Sequence, residues 1–300
     1  MRQTWKLAVV GVSLLAMLTG CSSTGGDDSS TASDAGNTAM SGTISVISRE
    51  EGSGTRSAFV ELFGIEEEDA NGEKVDNTTE EAITTNNTAA MITNVSGDPN
   101  AIGYVSLGSL NDTVKAVKID GNEATAENVK AGTYKVSRPF NIVTKTDGVS
   151  ELAQDFINYI MSTDGQAVVE EEGYVPMDTT TEYSSNGATG TLTVGGSSSV
   201  APVMEKLAEA YEAVNTDADV QVTTTDSSTG VTSTIEGSYA IGMASRAVKD
   251  EEISKGVTAT QIAIDGVAVI VNNENTMDDL TSDQVKNIFT GSVTDWSDVA

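Results

Sequence analysis

The sequence predicts an α/β fold. Two observations carry this: short β-branched runs recur along the chain, and stretches of helical apolar spacing alternate with them. In order, residues 43–47 read as a strand and 57–63 as a helix, with Phe59, Val60, Leu62 and Phe63 for packing. Residues 101–105 and 114–119 read as strands. Residues 134–144 are extended, with Pro139 suited to an edge or crossover because it lacks an N–H. Residues 150–171 read as one helix burying Leu152, Phe156, Ile157, Ile160 and Met161. The Ser/Asn-rich stretch 182–190 reads as a linker. Residues 191–194 form a strand, followed by a helix with Pro202 in its first turn and a stripe of Met204, Leu207, Tyr211 and Val214. Residues 220–224 (strand), 229–235 (helix), 240–244 (strand), 261–271 (long apolar strand) and 281–289 (helix) complete the pattern.

The N-terminus reads as an export leader. Arg2 and Lys6 precede an apolar run over 7–18, and Leu18-Thr19-Gly20-Cys21 has the small residues before a cysteine that mark a bacterial lipoprotein signal. The run is short for a membrane span. Cys21 is the only cysteine, which excludes a disulfide framework and a thiolate metal site and makes it the expected point of lipidation. Residues 1–20 are thus a lipoprotein signal peptide and 21–40 a flexible tether. The chain is expected outside the cytoplasm, held to the cell membrane by its acylated end. Beyond residue 40, the chain is long enough for one large or two small cores.

The formal charge is −29, and removing the leader takes away two of 16 basic and none of 45 acidic residues, leaving −31. That argues against nucleic acid and against an electrostatically held membrane surface. It argues only weakly against an anion ligand, since exposed charges beyond about 10 Å are largely screened. Acids at 66–69 and 170–172 lack calcium-loop spacing and read as solvated surface. Histidine is absent, which removes Ser–His and Cys–His nucleophiles and histidine metal sites. An enzyme is not expected, nor a metal or cofactor; Asp226, Asp265 and Glu51 have no metal-like spacing.

Two Gly/Ser-rich loops stand out. One is Ile47-Ser48-Arg49-Glu50-Glu51-Gly52-Ser53-Gly54-Thr55-Arg56, the other Gly195-Gly196-Ser197-Ser198-Ser199-Val200-Ala201-Pro202. Each follows a strand and opens a helix, where unpaired amides and the helix dipole favour an anion. Together, with one arginine, they suggest a tetrahedral oxyanion gripped from two sides.

Read from residue 191 onward, the chain resembles the start of the phosphate-binding component of bacterial phosphate ABC transporters. The matching stretches are 194–207, Ile241-Gly242-Met243-Ala244-Ser245-Arg246, 263–272 and 288–298. In that family a segment like 43–56 follows the last of these, whereas here it stands near the N-terminus. The resemblance therefore implies a circular permutant with 182–190 joining the old ends; fragments of two tandem copies are the alternative. It implies a two-lobed periplasmic-binding-protein-like fold (type II) with hinge strands at 134–144 and 267–273. Lobe A would be 41–135 plus 273–300 and lobe B 136–272, with residues 41 and 300 close in space. It implies ligands from Ser198, Ser199 and Ser227 in one lobe and Arg49, Ser53, Gly54 and Thr55 in the other. Arg246 stands where many members place an aspartate that accepts a phosphate proton. It either adds a second cation to the site or pairs with an acid such as Asp265 or Glu50, and Asp226 could replace the acceptor. The implied function is a solute-binding lipoprotein that captures inorganic phosphate between its lobes and delivers it to ABC permease subunits. Alternatives are another oxyanion (sulfate, molybdate or arsenate) and a sensor lipoprotein without transport.

Overall fold

The computed structural model describes residues 40–299. The leader, Cys21 and nearly all of the tether lie outside the described residues. The elements follow the strand–loop–helix alternation: β1 (Ser45–Arg49), α1 (Gly54–Leu62), β2 (Ile83–Thr85), α2 (Thr88–Gly97), β3 (Ala101–Ser106), β4 (Ser137–Lys145), α3 (Glu151–Ile160), α4 (Thr163–Glu171), β5 (Gly190–Ser197), α5 (Ala201–Val214), β6 (Ala218–Thr225), α6 (Ser227–Glu236), β7 (Ile241–Ala244), β8 (Val257–Asn272) and α7 (Ser282–Phe289). Shorter elements decorate them, among them an acidic hairpin of Glu66–Glu68 and Lys74–Asp76.

Several helices differ from the sequence expectation for identifiable reasons. α1 starts three residues early because Ser53 caps it, its Oγ accepting the Arg56 N–H. The single helix expected over 150–171 is two. Ser162 ends the first, donating its hydroxyl to Tyr159 O at 2.7 Å, and caps the second by accepting Gly165 N–H at 3.2 Å. Gly165 packs so tightly on the Tyr159 and Ile160 carbonyls that a Cβ there would collide with them. In α5, Val214 is exposed rather than part of the stripe. The inward position one turn after Tyr211 belongs to Asn215, whose amide donates to Tyr211 Oη and Ala188 O.

The main sheet has the order β6-β5-β7-β4-β8-β3-β1-β2, with Val114–Ala116 and Val175–Pro176 also paired to β8. β5 runs parallel to β6 and β7, and β1 parallel to β2 and β3; β4 and β8 are the antiparallel strands between these groups. β8 ties the two groups together. Its residues from Val257 to Gly266 pair with β4, and from Val267 to Val271 with β3. Pro139 in β4 faces Ile264 on this strand, where β4 has no register with β7 on its other side, so its missing N–H is harmless.

Two apolar cores lie on either side of this change of partner. One gathers α1, α2, β1, β3, α7 and Val267–Val271, with Phe59 stacked on Tyr104 at 4.0 Å between ring centroids. The other gathers α3, α5, β5, Phe140, Ile262 and Ala263. In the second, buried Asp155 accepts the Tyr211 and Tyr183 hydroxyls at 2.8 and 2.7 Å and the Asn186 N–H at 2.9 Å. The stretch expected as a linker is thereby pinned to the core.

The two ends of the described chain meet. Thr43 bridges Asp295, Ile44 N–H donates to Thr294 O at 2.9 Å, and Trp296 N–H donates to Gly42 O at 3.0 Å.

Candidate functional site

The last residue of β1 is Arg49, which is 2 % exposed. Its backbone N–H donates to Tyr104 Oη at 3.1 Å, and its carbonyl accepts Arg56 Nη1 at 2.8 Å. Burial pushes the Tyr104 hydroxyl above its ordinary pKa, so it stays protonated and can serve Ser48 Oγ, 2.9 Å away. The Arg49 guanidinium donates from Nε and Nη2 to the two oxygens of Glu50, at 2.8 and 2.7 Å. Such a two-point pair fixes the plane of the fork. The same Nη2 also reaches Ser198 Oγ at 3.1 Å, and Nη1 reaches Thr88 Oγ1 at 3.5 Å.

The second loop arrives from the other core. β5 runs into Gly196, whose φ of +142° is rarely open to L side chains, and a Cβ there would collide with Met243 O. This close approach sets Ser197, Ser198 and Ser199 at the start of α5. A third segment comes from α6, capped by Asp226, which accepts Thr229 N–H at 2.8 Å. Its first residue, Ser227, accepts the Ser245 N–H at 3.1 Å. Ser197 Oγ donates to Ser245 Oγ at 2.9 Å, extending the hydroxyl cluster to the end of β7.

Contacts between the loops close the arrangement. Thr55 Oγ1 lies 2.8 Å from Ser199 Oγ, Thr88 Oγ1 lies 3.1 Å from Ser198 Oγ, and Ser228 N–H donates to Gly52 O at 3.2 Å. Gly54 sits on the hydroxyls at the start of α6 and the end of β7: a Cβ there would collide with Ser227 Oγ and approach Ser245 Oγ to 2.8 Å. The starts of α1, α2, α5 and α6 therefore converge on one guanidinium and a ring of buried hydroxyls. A cleft of about 770 Å³ opens beside them, lined among others by Glu50, Thr88, Ser198, Pro202 and Asp226. Hydroxyls that donate or accept, N-terminal amides and a fixed guanidinium suit a tetrahedral oxyanion.

Of the residues expected to act, Arg49, Gly54, Thr55, Ser198, Ser199 and Ser227 are brought together. Ser53 lies in the same turn, its oxygen accepting the Arg56 N–H as the cap of α1 and its O–H left to donate. Arg246 is the exception. Its Nη1 and Nη2 each donate to a Glu252 oxygen at 2.8 Å, so its partner is neither Asp265 nor Glu50. Glu252 is held in place because it also accepts Lys249 N–H at 2.9 Å. Burial alone would raise its pKa, but the bonds and charge of Arg246 and the Lys249 N–H hold it below the ordinary carboxylate value.

Asp265 belongs instead to the crossing of β8. It accepts Arg138 Nε and Nη2 at 3.1 and 3.0 Å, Ser106 Oγ at 2.8 Å and Leu107 N–H at 3.1 Å. Arg138 Nη1 donates to Ser245 O at 3.0 Å, which couples this buried pair to the hydroxyl cluster. Among the described residues, no acidic cluster could hold a metal ion.

Sequence reasoning missed Thr88, Tyr104, Arg138, Ser197 and Ser245. For Thr88 a signal existed: Asn87 before Met91 and Val95 is a helix-start pattern, and Asn87 does cap α2. The others are joined to the site by contacts across the sheet.

A sheet shared by two cores, with ligand-type loops from both meeting at their junction, defines a two-lobed α/β solute-binding protein. The chain belongs to the PBP superfamily, whose domain profile matches residues 27–164 and 181–300. It is 55% identical over 294 residues to the phosphate-binding protein PstS 2 of Streptococcus agalactiae serotype V, covering 98% of this chain and 97% of that one. A crystal structure of a phosphate-binding protein of a phosphate ABC transporter from Streptococcus pneumoniae TIGR4 superposes with a TM-score of 0.68 at 45% identity, covering 86% of this chain and all of that one. The PstS of Bacillus subtilis aligns over only 114 residues, 37% of this chain, at 34% identity. The family is one of binding proteins, not enzymes.

Proposed function

We propose that this protein captures inorganic phosphate at the cluster formed by Arg49, Gly54, Thr55, Ser198, Ser199 and Ser227 and hands it to an ABC permease. The observation that carries this is the meeting of the two loops: Arg49 Nη2 bonds Ser198, and Thr55 lies against Ser199. Closure over the anion excludes water and strengthens each charge-assisted bond. Ser53 orders the loop that presents the Gly54 N–H, and Arg246 stands outside the ligand set. That favours phosphate over the wider range of oxyanions a second cation would admit. The relatives, named for phosphate binding along their whole length, support the same reading.

In this reading the lobes are 41–135 with 273–300 and 136–272. The packing of Val267–Val271 in the first core draws the second limit back toward Gly266. The order of the halves is permuted, with the bonds between Gly42 and Trp296 as the continuous joint. The protein is held outside the cytoplasm by lipid on Cys21. Among the described residues, no helix is long and apolar enough to cross a membrane.

Isothermal titration of the leaderless protein, freed of bound anion, tests the ligand. Tight phosphate binding is expected, and the absence of any phosphate heat contradicts the reading. The wild type should take up labelled fatty acid and Cys21→Ala should not, and an unlabelled wild type would remove the anchor.

A further inference from the structure

Granting that the cluster binds phosphate, the chain still needs a group that distinguishes phosphate from sulfate. Near neutral pH phosphate keeps at least one O–H, whereas sulfate offers only acceptors. The hydroxyls of Thr55, Thr88, Ser198, Ser199 and Ser227 do not discriminate, because each can donate or accept. A fixed carboxylate does: it pairs with an O–H and meets a bare oxyanion as an unpaired, like-charged acceptor. At position 246, where the resemblance calls for that carboxylate, an arginine is turned to Glu252.

Two carboxylates line the cleft, Glu50 and Asp226. The oxygens of Asp226 face its own helix, taking the Thr229 N–H at 2.8 Å and hydroxyl at 2.6 Å. Glu50 is placed differently. Its Oε1 shares the Arg49 Nη2 with Ser198 Oγ, so the carboxylate borders the hydroxyl cluster beside the guanidinium. Each of its oxygens accepts one bond from Arg49 and keeps a further lone pair.

We propose that Glu50 is the specificity-determining acceptor, taking the hydrogen bond of the anion's O–H and excluding fully deprotonated tetrahedral anions. Phosphate and sulfate titrations of the wild type and of Glu50→Gln, Glu50→Asp and Asp226→Asn test this. In Glu50→Gln, phosphate affinity should fall about tenfold or more while sulfate binding emerges, collapsing the phosphate-to-sulfate ratio by about a hundredfold. Glu50→Asp should retain most of the ratio. Asp226→Asn should leave the ratio intact, since asparagine still caps the helix. Parallel loss of both anions in Glu50→Gln would overturn the proposal, because a role limited to holding Arg49 predicts that outcome. Collapse of the ratio in Asp226→Asn would overturn it too. Wild-type protein that binds sulfate as well as phosphate sinks this proposal alone; wild-type protein that ignores phosphate sinks the phosphate reading with it.

Discussion

Arg49 and Arg246 are both buried, and both are gripped by a glutamate through two bonds. Only Arg49 bonds Ser198 and Thr88. Arg49 ends β1, and its neighbour in sequence, Glu50, takes one edge of the guanidinium, leaving the other toward Ser198 and Thr88. Arg246 follows β7, and Glu252, from the short helix Asp250–Ile253, takes both of its terminal nitrogens, its other contacts being Ala247 O at 3.0 Å and Ser228 Oγ at 3.4 Å. The position of the carboxylate therefore decides whether a buried cation is available to a ligand. Residue type alone does not.

The comparison breaks most sharply at Arg49. Arg49→Ala removes the guanidinium's charge-assisted bonds, and phosphate affinity should fall at least about tenfold. Arg49→Lys should recover only part of this, because an ammonium lacks the planar fork. Calorimetry near wild-type affinity for the alanine variant would remove Arg49 from the site. Gly54→Ala tests the close approach of α1 to α6. Its methyl would collide with Ser227 Oγ, so phosphate binding should weaken by about tenfold while circular dichroism keeps the helix content of the wild type. Arg246→Ala should behave in the opposite way, with affinity within about threefold and stability lower by about 1–3 kcal/mol, because Glu252 loses its partner. Denaturant titration and calorimetry on the same sample separate the two effects.

The smallest effect concerns the pair at the crossing of β8. Burial pushes Asp265 from its ordinary 3.8 up to about 6, against the pull of Arg138 and Ser106. The folded chain thus holds this proton more tightly than the unfolded one. The contribution is fully present below pH 3.8 and is lost as pH rises through about 6. Asp265→Asn should flatten the stability profile across that window, as read by thermal melts at several pH values. An unchanged slope would mean that other groups set it.

Rebuilding the other order is a test of the joint at the chain ends. Fusing residue 300 to residue 41 and opening the chain within 182–190 should yield a folded, phosphate-binding protein. The Asp155 bonds to Tyr183 and Asn186 would be lost or weakened, so a modest drop in stability is expected. Failure to fold would contradict the permutation.

Most of the strand–helix alternation is legible because burial imposes its period on the sequence, as in the Met204, Leu207 and Tyr211 stripe. The division at Ser162 was missed because residues 150–171 keep an apolar face across it, while the break depends on a side-chain cap and on Gly165 meeting a neighbouring carbonyl. α2 was missed although Asn87 announces it.

The sequence by itself determined the alternating elements, the two hydroxyl-rich helix starts and the absence of histidine chemistry, since these follow from residue type and local spacing. Only the tertiary structure decided that Arg49 faces the cluster and Arg246 does not, that Thr88 and Ser245 join it, and that β8 changes partners at Gly266. Those outcomes depend on which carboxylate, hydroxyl or carbonyl a side chain meets once two cores close on one sheet. A hydrogen bond is decided by geometry over about 3 Å, which spacing along a chain does not encode.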